Sequence, residues 1–570
     1  MSDDIRPAPG SSENEFIKDD SNYLRGTIAR GLRDSITGGI APSDQQLLKF
    51  HGMYQQDDRD VRLERQRQKL EPLHTFMIRI RMPGGVCTPE QYLELDRLAC
   101  AHGGSALRLT TRQTFQFHTV AKRDLRKVLQ ALDKSKLDTI AACGDVNRNV
   151  MCNPNPLLST LHEQAFAWTK RLSEHLLPRT HAYKELWLDD ALAAGGEPPD
   201  DHEPLYGKHY LPRKFKIAVA IPPSNDVDIY ANDLGFIAIA DGDKLAGFNV
   251  AVGGGMSLTH GERATYPRIA DVIGFCSTDD LLAVAEAVLT TQRDFGDRKN
   301  RKHARLKYTI DDRGLDWFKA EVERRVGHPL LPARPFVFDS NGDRYGWVKG
   351  VGDSWHFTLF IMNGRIRDEG ERKLLTALRE IAKIHDGDFR MTGNQNLMIA
   401  NVSKGNKRRI DGLLDKFGLK EGASLTALRL SSMACVALPT CSQAMAESER
   451  YLPTLLDKLD TVVRAAGLER DAIVIRMTGC PNGCARPYIA EIALVGKNLG
   501  KYNLYLGGGF AGDRLGKLYR ESLSDEEIVA TLDPILHRYA RERTPGERFG
   551  DFVIRAGYVK ATRQGKDFHD

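Results

Sequence analysis

Two stretches far apart in this chain, "LRLTTRQTFQFHTV" (107–120) and "FRMTGNQNLMIANV" (389–402), share one template. Each runs aromatic or aliphatic residue, Arg, apolar residue, Thr, two variable positions, Gln, and then an alternating run ending in Val. "HTFMIRIRM" and "TPEQYLELDRLACAHGG" precede the first, and "WHFTLFIM" and "GERKLLTALREIAKIHDGD" precede the second. The apolar period switches from 2 to 3.6 and back, which predicts β–α–β in each copy. "GFNVAVGGG" (247–255) pairs with "KYNLYLGGG" (501–509), and more weakly "NRNVMCNPNP" (147–156) with "IRMTGCPNGC" (475–484). The pairs keep their order, so the chain is expected to be a duplicated unit. Two copies with a period of hundreds of residues do not make a solenoid. A pseudo-two-fold axis sets equivalent strands face to face, with room for a large ligand between them.

The halves differ in chemistry. Four of the nine cysteines lie between 435 and 484, in "SSMACVALPTCSQ" and "RMTGCPNGCARP". Cys435 and Cys441 are separated by five residues, Cys480 and Cys484 by three. Disulfides suit a cytosolic chain poorly. Zinc sites favour tight pairs, and the five-residue gap and Pro–Asn–Gly linker fit them badly. A cubane iron–sulfur cluster needs four thiolates at spacings set by its corners, and this reading fits best. Gly479 and Gly483 allow turns that aim backbone N–H groups at the sulfurs. Where one half has cysteines, the other has "NRNV" and "LPRKFK". Cys87, Cys100, Cys143, Cys152 and Cys276 read as small buried apolar residues.

With 41% apolar and 28% charged residues, the chain reads as an ordinary globular protein of several domains. The start, "MSDDIRPAPGSSENEF", shows no secretory signal, and no uncharged apolar run reaches the length of a membrane span. A cytoplasmic location is expected. Net charge is +5, with the densest basic run at "DRKNRKHARLK" (297–307). It reads as a solvated helix face, a weak nucleic-acid surface or a polyanion site. Residues 1–73 lie outside the repeat and read as a charge-rich arm, partly disordered alone. "LAAGGEPPDDHEPLYGKHY" (192–210) reads as an exposed loop. Neither glycine triplet makes G-x-G-x-x-G before a helix, so no flavin or nicotinamide site is expected and electrons must come from another protein.

The sequence resembles the sulfite/nitrite reductase family over nearly its whole length, on "FHGMYQQDDRD", "LRLTTRQTFQFH", "NRNV", "LPRKFK", the glycine turns and the cysteine quartet. The resemblance implies an α+β, internally duplicated fold with three domains around siroheme and a [4Fe–4S] cluster. It divides the chain into a central domain (74–140 and 350–421), a second domain (141–349) binding substrate and siroheme, and a third (422–570) holding the cluster. It implies Cys435, Cys441, Cys480 and Cys484 as cluster ligands, Cys484 being shared with siroheme iron. It also implies Arg79, Arg148, Lys214 and Lys216 around the substrate. Siroheme carries eight carboxylates, so its pocket needs cations and N–H donors. Arg112, Gln116, His118, Arg213, Arg305, Lys307 and Asn482 are the candidates.

The implied reaction is six-electron reduction of sulfite to sulfide, feeding cysteine biosynthesis. Electrons would come from NADPH through a separate flavoprotein carrying FAD and FMN, docked on residues 1–73. The alternatives are an assimilatory nitrite reductase with a ferredoxin donor and, from another class, a zinc-stabilised nucleic-acid-binding protein. Visible colour separates the last from the first two.

Overall fold

The computed structural model describes residues 6–155, 157–180, 182, 186–188, 191–194 and 203–570. Each predicted β–α–β unit forms. In the first copy "TPEQ" starts the helix Pro89–His102: the Thr88 hydroxyl accepts the Gln91 N–H, the Gln91 side chain returns to the Thr88 N–H, and Pro89 fills the first turn. In the second copy the corresponding helix is Leu374–Ala382.

The two copies exchange a strand. Val86–Cys87, from the first copy, pairs with Asp388–Met391 of the second. Arg365–Glu369, from the second, pairs with Ala106–Leu109 of the first. The central sheets therefore cannot separate, and one core, from Phe76 and Leu98 to Leu378 and Ile399, serves both. The backbone repeats in detail. Gln113 and Gln395 occupy the left-handed region at φ 55° and 68° at equivalent turns. Gly85 and Gly364 are left-handed too; a Cβ on either would strike the backbone oxygen of Met391 or Leu109.

The outer domains repeat as well. Strands Met151–Cys152, Ile217–Ala220, Leu234–Asp241, Lys244–Val252 and Asp271–Ser277 form one sheet in that spatial order, parallel across the first three and antiparallel beyond. Ser432–Ala434, Ile475–Thr478, Ile492–Asn498, Lys501–Leu506 and Lys517–Leu523 form the other with the same senses. This order corrects the weakest repeat. "NRNVMC" leads into the edge strand and matches the run into Ser432–Ala434. "IRMTGC" matches Ile217–Ala220 and the loop that leaves it.

Two other expectations change. Residues 6–73 are built into the fold, not a loose arm. Helices Glu13–Asp19, Ile28–Arg33 and Pro42–Leu48 bury Leu24, Leu47 and Leu48, and Met53–Asp57 adds a strand beside His74–Arg79. Lys18, 2% exposed, donates to Glu15 at 2.6 Å and to the Leu211 carbonyl at 3.1 Å. Nor is 192–210 an exposed loop throughout. Ala191–Ala194 pairs with Leu186–Leu188, and Glu203, Tyr206 and Tyr210 are buried. Residues 195–202 lie outside the described residues.

Candidate active site

The four cysteines lie on two loops that leave adjacent parallel strands. Cys435 comes directly after Ser432–Ala434, and Cys480 lies just beyond Ile475–Thr478. The Gly479 N–H donates to Cys435 Sγ at 3.3 Å, and Asn482 Nδ2 donates to Cys484 Sγ at 3.3 Å. The Gly483 turn is left-handed at φ 66°, pressed so close to the Met256 carbonyl that a Cβ would lie 2.8 Å from it. Burial, then the neighbouring Cys484 and Cys441 thiols, push the Cys435 thiol up to about 12. Burial and the same group of sulfurs push Cys480 up as well. Such thiols become thiolates readily only beside positive charge, which cluster iron supplies. A cubane places each thiolate on its own iron, and these four neighbouring thiols can supply its four corners.

The second chemical feature is a cluster of cations, Arg79, Arg112, Arg148, Lys214 and Lys216, the side that would form an anion cleft. Arg79 ends the strand His74–Arg79, opposite Gln116. With the Gln116 amide turned, its oxygen accepts from Arg79 at 2.5 and 2.8 Å while its nitrogen meets His118 Nε2 at 3.3 Å. Arg79 also donates to Cys143 Sγ at 2.8 Å, and Arg148 donates to the Gly144 carbonyl at 2.8 Å. Both guanidiniums reach the Ala142 carbonyl at 3.4 Å, which sets them side by side. Arg112 donates to Asn232 Oδ1 and to the carbonyls of Asn149 and Ile217 at 2.6–2.9 Å.

Lys214 and Lys216 lie on an extended run just before the strand Ile217–Ala220, with a single bridge at Phe215, rather than within a strand. The alternation holds all the same: Phe215 is in the core and both lysines are half-buried. Burial, then Arg213 and Arg305, lowers the Lys214 ammonium to about 7. Burial and Lys214 itself push Lys216 well below its ordinary range. Burial and the surrounding arginines, Arg486 first, bring Arg112 down to about 9. Burial and the guanidiniums of Arg365, Arg108 and Arg79 keep His118 neutral. So many cations turned on one another await an anion. The Arg112 Nε, His118 Nδ1 and both Asn147 side-chain atoms are buried without partners, as a polar ligand would require. These residues fit siroheme and an oxyanion.

The basic run 297–307 dissolves into internal pairs. Arg298 meets Glu15, Arg301 meets Asp145 at 2.8 Å, and Arg305 grips Asp233 with both oxygens at 2.9 Å. Lys307 Nζ is held by the carbonyls of Gly255, Ser257 and Tyr266. Arg305 and Lys307 thus brace the Gly253–Gly255 turn. Arg213 faces Asp145 at 3.9 Å.

The structure adds residues that motif reading passes over. Tyr54 bonds Arg148 and approaches Cys143 and Arg79, and Cys143 carries Arg79. Arg59 donates to the carbonyls of Cys441 at 3.2 Å and Ala444 at 2.6 Å, fastening residues 6–73 to the cysteine loop. Arg486 and Arg476 meet on Asp228, and Arg486 also donates to the Thr111 carbonyl at 2.7 Å. The signal for Tyr54 and Arg59 is present in "GMYQQDDRD", beside strand-forming residues. Nothing local marks Cys143.

A duplicated α+β chain with four clustered thiols beside a cation cleft is the architecture of a redox enzyme for small oxyanions. The chain belongs to the nitrite and sulfite reductase family. The nitrite and sulphite reductase 4Fe-4S domain matches residues 167–330 and 427–566, and the nitrite/sulfite reductase ferredoxin-like half domain matches 67–135 and 348–417. It is 60% identical over 560 residues to the sulfite reductase [NADPH] hemoprotein beta-component of Anoxybacillus flavithermus, covering 98% of each chain. Its identity is 59% to that of Geobacillus kaustophilus, covering 98% of each, and 57% to that of Bacillus subtilis, covering 99% of each. The fold matches the Mycobacterium tuberculosis NirA protein with a TM-score of 0.77, 23% identity and 97% of each chain covered. Among the described residues no helix is long and apolar enough to cross a membrane.

Proposed function

We propose that this chain reduces sulfite to sulfide as the hemoprotein component of an NADPH-dependent sulfite reductase. The observation that carries the reading is the position of Cys484. It lies within electrostatic reach of Cys435, Cys441 and Cys480 on one side and of Lys214 on the other. One thiolate can therefore belong to the cluster and face the anion cleft. Cys435, Cys441, Cys480 and Cys484 would hold the [4Fe–4S] cluster, and Cys484 would also ligate siroheme. Arg112, Gln116, His118, Arg213 and Asn482 would line the macrocycle, with Arg305 and Lys307 supporting its wall. When bound, these groups would pass on to the anion the six electrons that an external donor delivers.

The chain's own residues supply charge and protons. Reduction to HS⁻ consumes six electrons and seven protons and releases three waters, so each departing oxygen must be protonated. Arg79 and Arg148, both held at the Ala142 carbonyl, bind the oxyanion through their guanidinium charge. Lys214, lowered to about 7, is poised to give up a proton near neutral pH, and Lys216 is pushed the same way. Tyr54, a phenol against Arg148, orients that guanidinium.

A partner flavoprotein, carrying FAD and FMN and oxidising NADPH, would deliver the electrons. Leu63 on the short helix Arg62–Arg67, and Val61, Leu70 and Leu73 on either side of it, are 38–67% exposed. They sit just beyond Arg59, which touches the cysteine loop, and suit a docking face close to the cluster. The deciding assay is turnover of sulfite and of nitrite with a reduced dye in place of the partner. Stoichiometric sulfide from sulfite is expected. Faster, tighter turnover of nitrite with negligible sulfide would favour the nitrite reductase reading.

A further inference from the structure

Across the pseudo-two-fold axis lies a second cleft, open to solvent, between the second domain and the second central copy. Asp226, Asp343, Arg344 and His356 line it together with the apolar Pro222 and Met398. It is the counterpart of the catalytic cleft. Asp226 lies six residues beyond the strand end at Ala220, as Cys484 lies six beyond Thr478. Each precedes by two a left-handed residue, Asp228 at φ 48° or Arg486 at φ 52°, that opens a short helical turn. Thr358 faces Met398 across the central strands as Arg79 faces Gln116. The shape is kept and the chemistry replaced: a carboxylate stands for the shared thiolate, and apolar or neutral groups stand for the catalytic cations.

Two buried polar groups that line this cleft each leave one atom without a partner. Asp226 is 4% exposed; its Oδ2 accepts from Asn153 at 2.9 Å, while Oδ1 accepts nothing. His356 is 1% exposed; its Nδ1 accepts the Asn401 N–H at 3.0 Å, which puts the proton on Nε2, and Nε2 has no acceptor. A buried polar atom left without a partner is destabilising unless something answers it. Burial and the Asp343 carboxylate push the Asp226 acid up to about 7, and Arg344, the cation within reach, offsets only part of this. The cleft asks for a cationic donor at Asp226, and for an acceptor, preferably anionic, at His356 and Arg344.

We propose that this second cleft binds a free α-amino acid, its ammonium on Asp226 and its carboxylate on His356 and Arg344. The apolar wall at Pro222 and Met398 receives the side chain. Occupancy has a short path to the catalytic site. Asp226 is two residues from Asp228, which holds Arg486, itself two residues from Cys484.

Isothermal titration of the holoprotein with each proteinogenic amino acid tests the proposal, with propylamine and propionate as single-charge controls. Saturable binding is expected for at least one amino acid and for neither control. Asp226→Asn, nearly isosteric, and His356→Gln should each weaken it about ten-fold or more, as loss of a charged hydrogen bond predicts. Sulfite turnover without added amino acid should be unchanged in both variants. Unaltered thermal melting would show that Asp226→Asn folds; if it does not, His356→Gln alone decides. Absence of saturable binding at millimolar concentrations overturns the proposal. So does equal binding of a control, or binding indifferent to both substitutions.

Discussion

At the scale of single residues, the cleft divides labour between charge that stays and charge that leaves. Arg148→Met should chiefly raise KM for sulfite, because guanidinium binds without donating. Lys216→Met should lower kcat by about 10²–10⁴-fold, the usual cost of a lost general acid. Steady-state kinetics with a dye donor separate the two; a change in KM alone for both would mean that protons arrive through water. The lowered Lys214 gives a pH signature. Below about 7 it is charged and holds anions, and as pH rises through 7 that charge is lost. Nitrite, ionised throughout, should therefore bind more weakly from pH 6 to pH 8, and Lys214→Met should flatten the profile. A pH-independent dissociation constant in the parent protein would contradict this. The motifs already contain Arg79, Arg112, Arg148 and the lysines, because alternation along an extended run tells which side chains share a face. Cys143 is illegible in sequence: its role comes from a loop distant along the chain that sets its sulfur against Arg79.

At the scale of elements, the repeat predicts β–α–β twice but not the strand exchange between copies. Short strands such as Val86–Cys87 have no periodicity to read, and their partners are decided by the pseudo-symmetric packing. The third repeat misaligns for a related reason. Cysteine spacing draws "NRNVMC" to "IRMTGC", whereas strand order matches it to Ser432–Ala434. Residues 6–73 look solvated because their charge is conspicuous, yet much of it is paired internally, as Lys18 with Glu15. Two predictions belong here. Leu63→Asp with Leu70→Asp should cut flavoprotein-driven turnover about ten-fold or more and spare dye-driven turnover; equal loss of both would remove this face as the docking site. Arg59→Ala removes two hydrogen bonds from a guanidinium to the cysteine loop, so iron should be lost faster on exposure to air. Unchanged iron retention would show the loop to be self-supporting.

At the scale of the molecule, duplication built one frame twice and selection filled its two clefts differently. The pairing of Asp228 with Arg486, equivalent residues of the two halves, ties the frame at its axis. One cleft gathers cations and faces four thiols. The other carries an acid where the shared thiol would be. The account stands on Cys484 as the residue common to cluster and anion cleft. Its direct test is Cys484→Ser, purified beside Cys480→Ser and the parent chain and assayed for iron, siroheme absorbance and sulfide formed with a reduced dye. The account predicts that Cys480→Ser loses cluster iron and most activity. Cys484→Ser should lose these and, in addition, shift or abolish the siroheme absorbance. A Cys484→Ser protein with the parent's siroheme spectrum and sulfide production would contradict it.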